Sequence, residues 1–275
     1  MNREQEIYRP NKREKADNIR LCIAAHQDDV ELLAYSAILD CYNNPNEAFS
    51  AVVTADGAGS ARTGFYKDYT DEQMVQVRMK EQKQAADVGQ YLELHLLKYT
   101  SKAIKDPNNT DIVNDYVRIL TQSRPKIVYT HNLADKHLTH LGVVTKVIKA
   151  IRSLDKSIRP QKLYGVEVWR DLDWLDDSKK VLLGCDSHPN LERALLGVFD
   201  SQIAGGKRYD LAAEGRRLAN ATFFESHSVD SFSKLNFALD LTPLIEDDNM
   251  DITEYIAGFI DDFKNNVISS LKKII

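Results

Sequence analysis

Cysteine is scarce in this chain. Cys22, Cys41 and Cys185 are the only three, and no two stand in CxxC spacing. An odd, scattered set does not make a disulfide framework and fits a reducing compartment. Basic residues are outnumbered, 36 Lys and Arg against 41 Asp and Glu, for a formal net charge of −5. A broad nucleic-acid surface needs a basic excess, so nucleic acid is not an expected partner. No apolar run approaches a membrane span, and the opening Met1–Glu6 stretch is polar and charged, unlike the apolar core of a signal peptide. Together these absences predict a cytoplasmic protein with no membrane partner.

What is present is ordinary for a soluble globular protein: 275 residues, 43% hydrophobic and 28% charged. That length suits one large domain, with or without a modest extension. Short aliphatic or β-branched runs at 19–25, 50–54, 92–97, 126–131, 163–168 and 180–184 read as strands. Helical spacing of apolar residues separates them at 29–43, 71–90 and 141–154. This alternation predicts an α/β fold, a Rossmann-like doubly wound and mostly parallel sheet with helices on both faces. Residues 190–225 read as mostly helical with a break at Gly205-Gly206, while 101–112 and 244–250 read as polar loops. Residues 251–275 form an amphipathic helix candidate with a capping-box-like start, Asp251-Ile252-Thr253-Glu254. Its apolar stripe packs on its own domain or serves a subunit contact. The expected division is an N-terminal extension at 1–17, the main domain at 18–235 and a C-terminal helical extension at 236–275.

Two clusters carry the chemistry. Ala25-His26-Gln27-Asp28-Asp29 follows the first strand, and His131 to His140 (His-Asn-Leu-Ala-Asp-Lys-His-Leu-Thr-His) follows the fourth. Histidine and carboxylate suit zinc and related divalent ions, and a catalytic site needs three such ligands with a position left open. In a doubly wound sheet of order 3-2-1-4-5, strands one and four adjoin at the switch point, where ligands bind beyond the carboxyl ends. Fold and ligand type therefore place both clusters in one crevice. Plainer readings exist for each residue. Asp28 or Asp29 would cap a helix, and the His137–His140 pair would lie on a surface face. His131 would be a strand-end or supporting group, and His188 and His227 would be loop histidines.

The sequence at these clusters resembles a known family. His26-Gln27-Asp28-Asp29-Val30-Glu31-Leu32 is similar to the HPDD-x-EL motif of the LmbE-like, or PIG-L-type, zinc-dependent N-deacetylases. Asp135-Lys136-His137-Leu138-Thr139-His140 resembles their HxxH motif with its preceding acid. Thr54-Ala55-Asp56-Gly57, Arg78-Met79-Lys80-Glu81 and Glu167-Val168-Trp169 resemble further, weaker family segments. The resemblance spans roughly residues 18–230. It implies His26, Asp29 and His140 as metal ligands, with Asp28 as the base that activates water. His137 would then be the acid or oxyanion stabiliser. It implies zinc, with iron or another divalent ion as alternatives, and an N-acylated amino sugar or conjugate as the small-molecule partner. Arg78 is expected to contact substrate or else to form a surface ion pair with Glu81. Asp135 and Asp56 are expected behind the ligands, Asp56 alternatively fixing its turn. The chain departs from the motif where Gln27 replaces a proline, and where Ala34, Tyr35 and Ser36 replace glycines after the EL pair.

The expectation is thus a hydrolase that removes an acyl group, acetyl above all, from the nitrogen of an amino sugar or glycoside. Rival readings are a zinc amidase acting on a small non-sugar amide or thiol conjugate, and a non-catalytic sugar- or nucleotide-binding module. The dinucleotide version of the latter lacks GxGxxG after strand one, and two acids stand where a pyrophosphate would sit. A homo-oligomer is expected, as for many soluble enzymes.

Overall fold

The computed structural model describes residues 5–10 and 18–275. Most of the proposed 1–17 extension therefore lies outside the described residues. Eight strands form one sheet: β1 (Glu6–Tyr8), β2 (Asn18–Ala24), β3 (Glu47–Ala55), β4 (Glu93–Tyr99), β5 (Ile127–His131), β6 (Lys162–Val166), β7 (Lys180–Gly184) and β8 (Leu235–Asp240). Their spatial order is β1-β4-β3-β2-β5-β6-β8-β7. The five central strands, β4-β3-β2-β5-β6, are parallel, with β2 opposite β5 from Arg20↔Ile127 to Cys22↔Tyr129. β1, β8 and β7 add antiparallel margins. The parallel core and its 3-2-1-4-5 order match the expected doubly wound fold.

Successive side chains of a strand point to opposite faces, and β2 feeds two cores accordingly. Leu21 and Ile23 enter a cluster with α5 (Thr110–Ser123) and α6 (Leu138–Arg152), and Cys22 and Ala24 enter another. The second is covered by α1 (Asp29–Leu33), α2 (Tyr35–Cys41), α3 (Asp71–Val88) and α7 (Pro189–Gly197). Burial on both faces explains why the central strands read as continuous apolar runs. The remaining helices are α4 (Ser101–Lys105), α8 (Asp200–Ile203), α9 (Tyr209–Phe224), α10 (Pro243–Glu246) and α11 (Ile252–Lys272). No helix among the described residues is long and apolar enough to cross a membrane.

Several local expectations change. The helix expected at 29–43 is two helices, broken at Ala34 with φ −115° and ψ 23°. The loop expected at 101–112 contains α4, whose first turn is capped when the Thr100 side chain accepts the Ala103 N–H, and the start of α5, capped by Asn109. The 244–250 loop begins inside α10. β1, β8 and α5 were not anticipated. β8 runs across the boundary drawn at 235/236 and ties residues 236–240 into the sheet between β6 and β7.

Candidate active site

The two clusters meet at the carboxyl ends of β2 and β5, on either side of the switch point. Asp29 is the hub. Its Oδ2 accepts the His26 backbone N–H at 2.8 Å and lies 3.0 Å from His26 Nδ1. The same oxygen is 3.3 Å from His140 Nε2, which is itself 3.3 Å from His26 Nδ1. Burial works to raise the Asp29 carboxyl, but the charge of His140 and hydrogen bonds from His140 and His26 outweigh it and hold it well below the usual range. Burial also works against protonated His140, yet Asp29 and Asp135 push that ring up to about 9. Asp29 and His140 thus each favour the charged form of the other.

These donors fit a metal. Ligands about 2.0–2.1 Å from a tetrahedral ion stand roughly 3.3 Å apart, and the three edges here are 3.0, 3.3 and 3.3 Å. Two other trios of ligand atoms lie within 4.8 Å of one another, His26/His137/His140 and Asp29/His131/His140. His131 is poorly placed to ligate, because its Nε2 lone pair already accepts the Ala25 N–H at 2.9 Å. Burial, then the charge of His140, holds its pKa well below normal, so it is a neutral clasp between the ends of β2 and β5. That is the strand-end role, with its ring stacked on His140 at 3.8 Å between centroids.

Asp135 sits behind His140, its Oδ2 3.0 Å from Nδ1. This carboxylate–imidazole pairing fixes the tautomer and orientation of a ligating histidine. Toward His137, Asp135 accepts only the backbone N–H, at 2.9 Å. The His137 ring stacks on His140 at 4.6 Å and lines the cavity, and its buried Nδ1 has no partner. Burial and the neighbouring His140 charge lower its pKa to about 4.

Asp28 stands at the N-cap position of α1 with φ 85°, a region aspartate enters at some cost. Its side chain makes no capping bond. Instead Oδ2 accepts from Arg78 Nη2 at 2.7 Å, while the Asp28 N–H donates to Gln82 Oε1 at 3.1 Å. Arg78 lines the cavity but is sealed, and its pair with Glu81 is buried rather than a surface pair. Nη2 also reaches the Gln27 carbonyl, and Nη1 reaches Glu81 at 2.8 Å and Ser201 at 3.3 Å. Its terminal nitrogens are thus spent on the protein. Burial raises the Asp28 carboxyl, Arg78 opposes that, and the result is about 6.

Nearby, Asp56 Oδ1 accepts the Ala58 N–H at 3.1 Å and so fixes its turn, while the residue also lines the cavity. The turn needs Gly57, at φ +86°, because a Cβ there would meet Gln27 Oε1 at 2.8 Å and Arg78 Cβ at 2.9 Å. Gln27, standing where the motif has proline, donates to the Ala55 carbonyl at 3.2 Å and links the ligand loop to β3. His188 lies elsewhere, against Tyr42.

The cavity has a volume of about 440 Å³. One wall is Trp169, with Lys207 Nζ 5.3 Å from its ring centroid and Tyr209 at 6.0 Å. The segment after Phe199 supplies Gln202, Lys207, Tyr209, Arg216 and Arg217 to the lining. Sequence reasoning gave Glu31 no role beyond its place in the motif and did not single out Gln82, Ser201 or Arg217, whose partners come from distant segments.

With this geometry in hand, comparisons place the fold among known proteins. The family model for PIG-L, described as GlcNAc-PI de-N-acetylase, matches residues 21–151, the span that holds both clusters. The resemblance read from the two motifs is borne out over that span. No curated protein sequence matches the chain. Among solved structures, N,N'-diacetylchitobiose deacetylase from Pyrococcus horikoshii is similar at 13% identity and TM-score 0.64, covering 86% of this chain and 88% of that one. The 4-carboxy-2-hydroxymuconate hydratase GalB from Pseudomonas putida KT2440 is similar at 16% identity and TM-score 0.63, covering 82% and 96%. The zinc-inhibited form of teicoplanin deacetylase Orf2 is similar at 11% identity and TM-score 0.55, covering 80% and 97%. Deacetylases and a hydratase share this fold, so the fold alone does not name a reaction; that has to be argued from the site.

Proposed function

We propose that this protein is a metal-dependent N-deacetylase that hydrolyses the acetamide of an N-acetylated amino sugar or its glycoside. The observation that carries the reading is the tight His26–Asp29–His140 triangle with Asp28 beside it at the floor of a cavity. His26, Asp29 and His140 would hold the ion, zinc on the balance of donor type and family, and Asp135 would hold His140 in place. A bound ion supplies Lewis acidity to the amide carbonyl and to water.

The chain's own residues do the rest. Asp28, fixed through one oxygen by Arg78, keeps the other for the cavity and accepts a proton from the attacking water. Burial raises this carboxyl above the ordinary range, the direction a base working near neutral pH requires. His137, whose ring lines the cavity, would stabilise the oxygen that gains charge or assist the departing amine. Arg78, read from sequence as either a substrate contact or a surface ion-pair partner of Glu81, is better assigned to positioning Asp28. The indole of Trp169 offers an apolar face to a sugar ring.

The test is acetate release from a panel of N-acetylated sugars and non-sugar amides, alongside elemental analysis of bound metal. Wild type should hold about one equivalent of metal and His140→Ala should lose it. Asp28→Asn should keep the metal and lose roughly 10²–10⁴-fold in turnover. An Asp28→Asn variant of wild-type activity would end the assignment of the base, and wild type that binds no zinc or iron when supplied would end the hydrolase reading.

A further inference from the structure

The cavity is unevenly charged, and the sheet order β3-β2-β5-β6-β8 sets its two sides. On the β3 and β2 side stand Asp56, Asp28 and Asp29. On the other side the half-buried indole of Trp169 follows β6, and cations gather around it. Lys207 Nζ lies 5.3 Å and Lys136 Nζ 5.8 Å from its ring centroid. Arg216, on the α9 helix that packs against β8, also lines the cavity. Its Nη1 donates to the Val168 carbonyl, one residue before the indole.

Two exposed lysines alone would be ordinary solvated charges. Arg216 is different: it is half-buried, and its Nε and Nη2 have no partner among the described residues. Its sequence neighbour Arg217 is what a structural arginine looks like here, sealed and paired with Glu192. Glu167, a carboxylate on the same side of the cavity, is committed elsewhere. Its oxygens accept from the Asn220 amide and from the backbone N–H groups of Phe237 and Leu172. Holding a guanidinium partly out of water without a counter-charge is unfavourable, and its forked donors match carboxylate or phosphate.

The indole also connects these cations to the reacting end, because the His137 ring lies 6.0 Å from it. A sugar ring resting on Trp169 would therefore have its acetamide toward the donor triangle and another substituent toward Arg216. Building on the deacetylase reading for the acetamide end, we infer that the sugar carries an anionic substituent, phosphate or carboxylate, bound by Arg216 and Lys207 with Lys136 beside them. A neutral sugar leaves Arg216 without a counter-charge; an anionic one supplies it. The same cations draw a negative substrate toward a chain whose net charge of −5 would otherwise repel it.

The experiment measures acetate release by the metal-loaded full chain. The probes are N-acetylglucosamine 1-phosphate, its 6-phosphate isomer and the carboxymethyl glycoside, against the neutral methyl glycoside. At least one charged probe should exceed the methyl glycoside in kcat/KM by about tenfold or more, a preference that fades with added salt. Whether a phosphate or the carboxymethyl glycoside leads tells which anion the site takes. Arg216→Gln and Lys207→Gln should each cut the preference about tenfold, through KM. Lys207→Glu/Arg216→Glu should turn it toward the cationic aminoethyl glycoside. Calorimetry of the same probes on Asp28→Asn, which keeps all three cations, reads binding where turnover is absent. Acetate release with no preference for any charged probe overturns the inference and leaves the deacetylase reading standing. Charge-dependent binding without acetate release from any probe does the reverse. A preference that survives in both glutamine variants overturns the assignment to these residues, and the absence of charge-dependent binding in both assays overturns the inference outright.

Discussion

Two arginines are sealed into the walls of the same cavity, Arg78 from α3 and Arg217 from α9, each 1% exposed. Both meet a glutamate, Glu81 for Arg78 at 2.8 Å and Glu192 for Arg217 at 2.5 Å. Both also reach backbone carbonyls of the first βα segment: Gln27 for Arg78, Glu31 and Leu32 for Arg217. The difference is one carboxylate. Arg78 continues to Asp28, beside the donor triangle, while Arg217 continues to Asn236 of β8 and lies over the Tyr35 ring at 4.7 Å. One arginine therefore holds a reacting group and the other staples the late part of the chain to α1. A cation in a cavity wall is not in itself a substrate anchor; its partners decide. Lys207 differs from both, since it is exposed at the rim and makes no ion pair among the described residues.

Removing Arg78 should give the largest effect. Arg78→Met leaves Asp28 and Glu81 buried without their cation, and breaking a buried pair from one side costs about 3–5 kcal/mol. Turnover should fall by at least a hundredfold, because Asp28 loses the contact that aims it. Denaturant melts and steady-state kinetics on the same sample check both parts. Arg78→Lys sharpens the point: it keeps charge but loses the two-pronged geometry, so stability should recover further than activity. Equal recovery of the two would make Arg78 a purely structural residue.

Arg217→Met should cost less, about 1–3 kcal/mol for the lost hydrogen bonds, because Glu192 retains Lys234 at 2.5 Å. Measured well below its melting temperature, kcat/KM should fall far less than in the Arg78 variant. A hundredfold loss would erase the distinction and bring Arg217 into the chemistry.

The two arginines also differ in how legible they were. Arg78 stands in an R-x-x-E pattern on a helix that apolar spacing predicts well, bounded by a Thr70–Gln73 capping box and Gly89. The ligand residues were equally readable, since each lies just past a buried strand and carries a side chain with few other uses there. Arg217 draws its partners from α1, α7 and β8, and β8 reads as Leu-Asn-Phe-Ala-Leu-Asp with five of six residues buried. Neither helical nor alternating, that segment finds its place only between β6 and β7, long after both in the chain. Register within the site was hidden for the same reason. That Asp135 turns to His140 rather than to the His137 ring depends on where α6 begins, with His137 as its N-cap. The role of His131 depends on a backbone N–H that no sequence pattern reveals.

The Glu31 carboxyl pairs with neither arginine, although its backbone carbonyl accepts from Arg217. Its Oε1 accepts from Tyr91 Oη at 2.6 Å and Gln82 Nε2 at 2.8 Å, while Oε2 is buried without a partner. Burial raises this carboxyl to about 8, only partly opposed by those hydrogen bonds. In the unfolded chain it titrates near 4.5, so between about pH 4.5 and 8 the folded state holds a proton that the unfolded state has lost. Stability from this group is therefore fully present below the unfolded value and is lost as pH rises toward 8, at up to about 1.4 kcal/mol per pH unit. Glu31→Gln cannot ionise and should abolish that slope. Melting curves of both proteins at pH 5, 6.5 and 8 should converge at low pH and separate at high pH, with the variant the more stable. Parallel curves would mean that Glu31 shares the arginines' charge after all, and that the contrast between a paired and an unpaired buried charge does not extend to this residue.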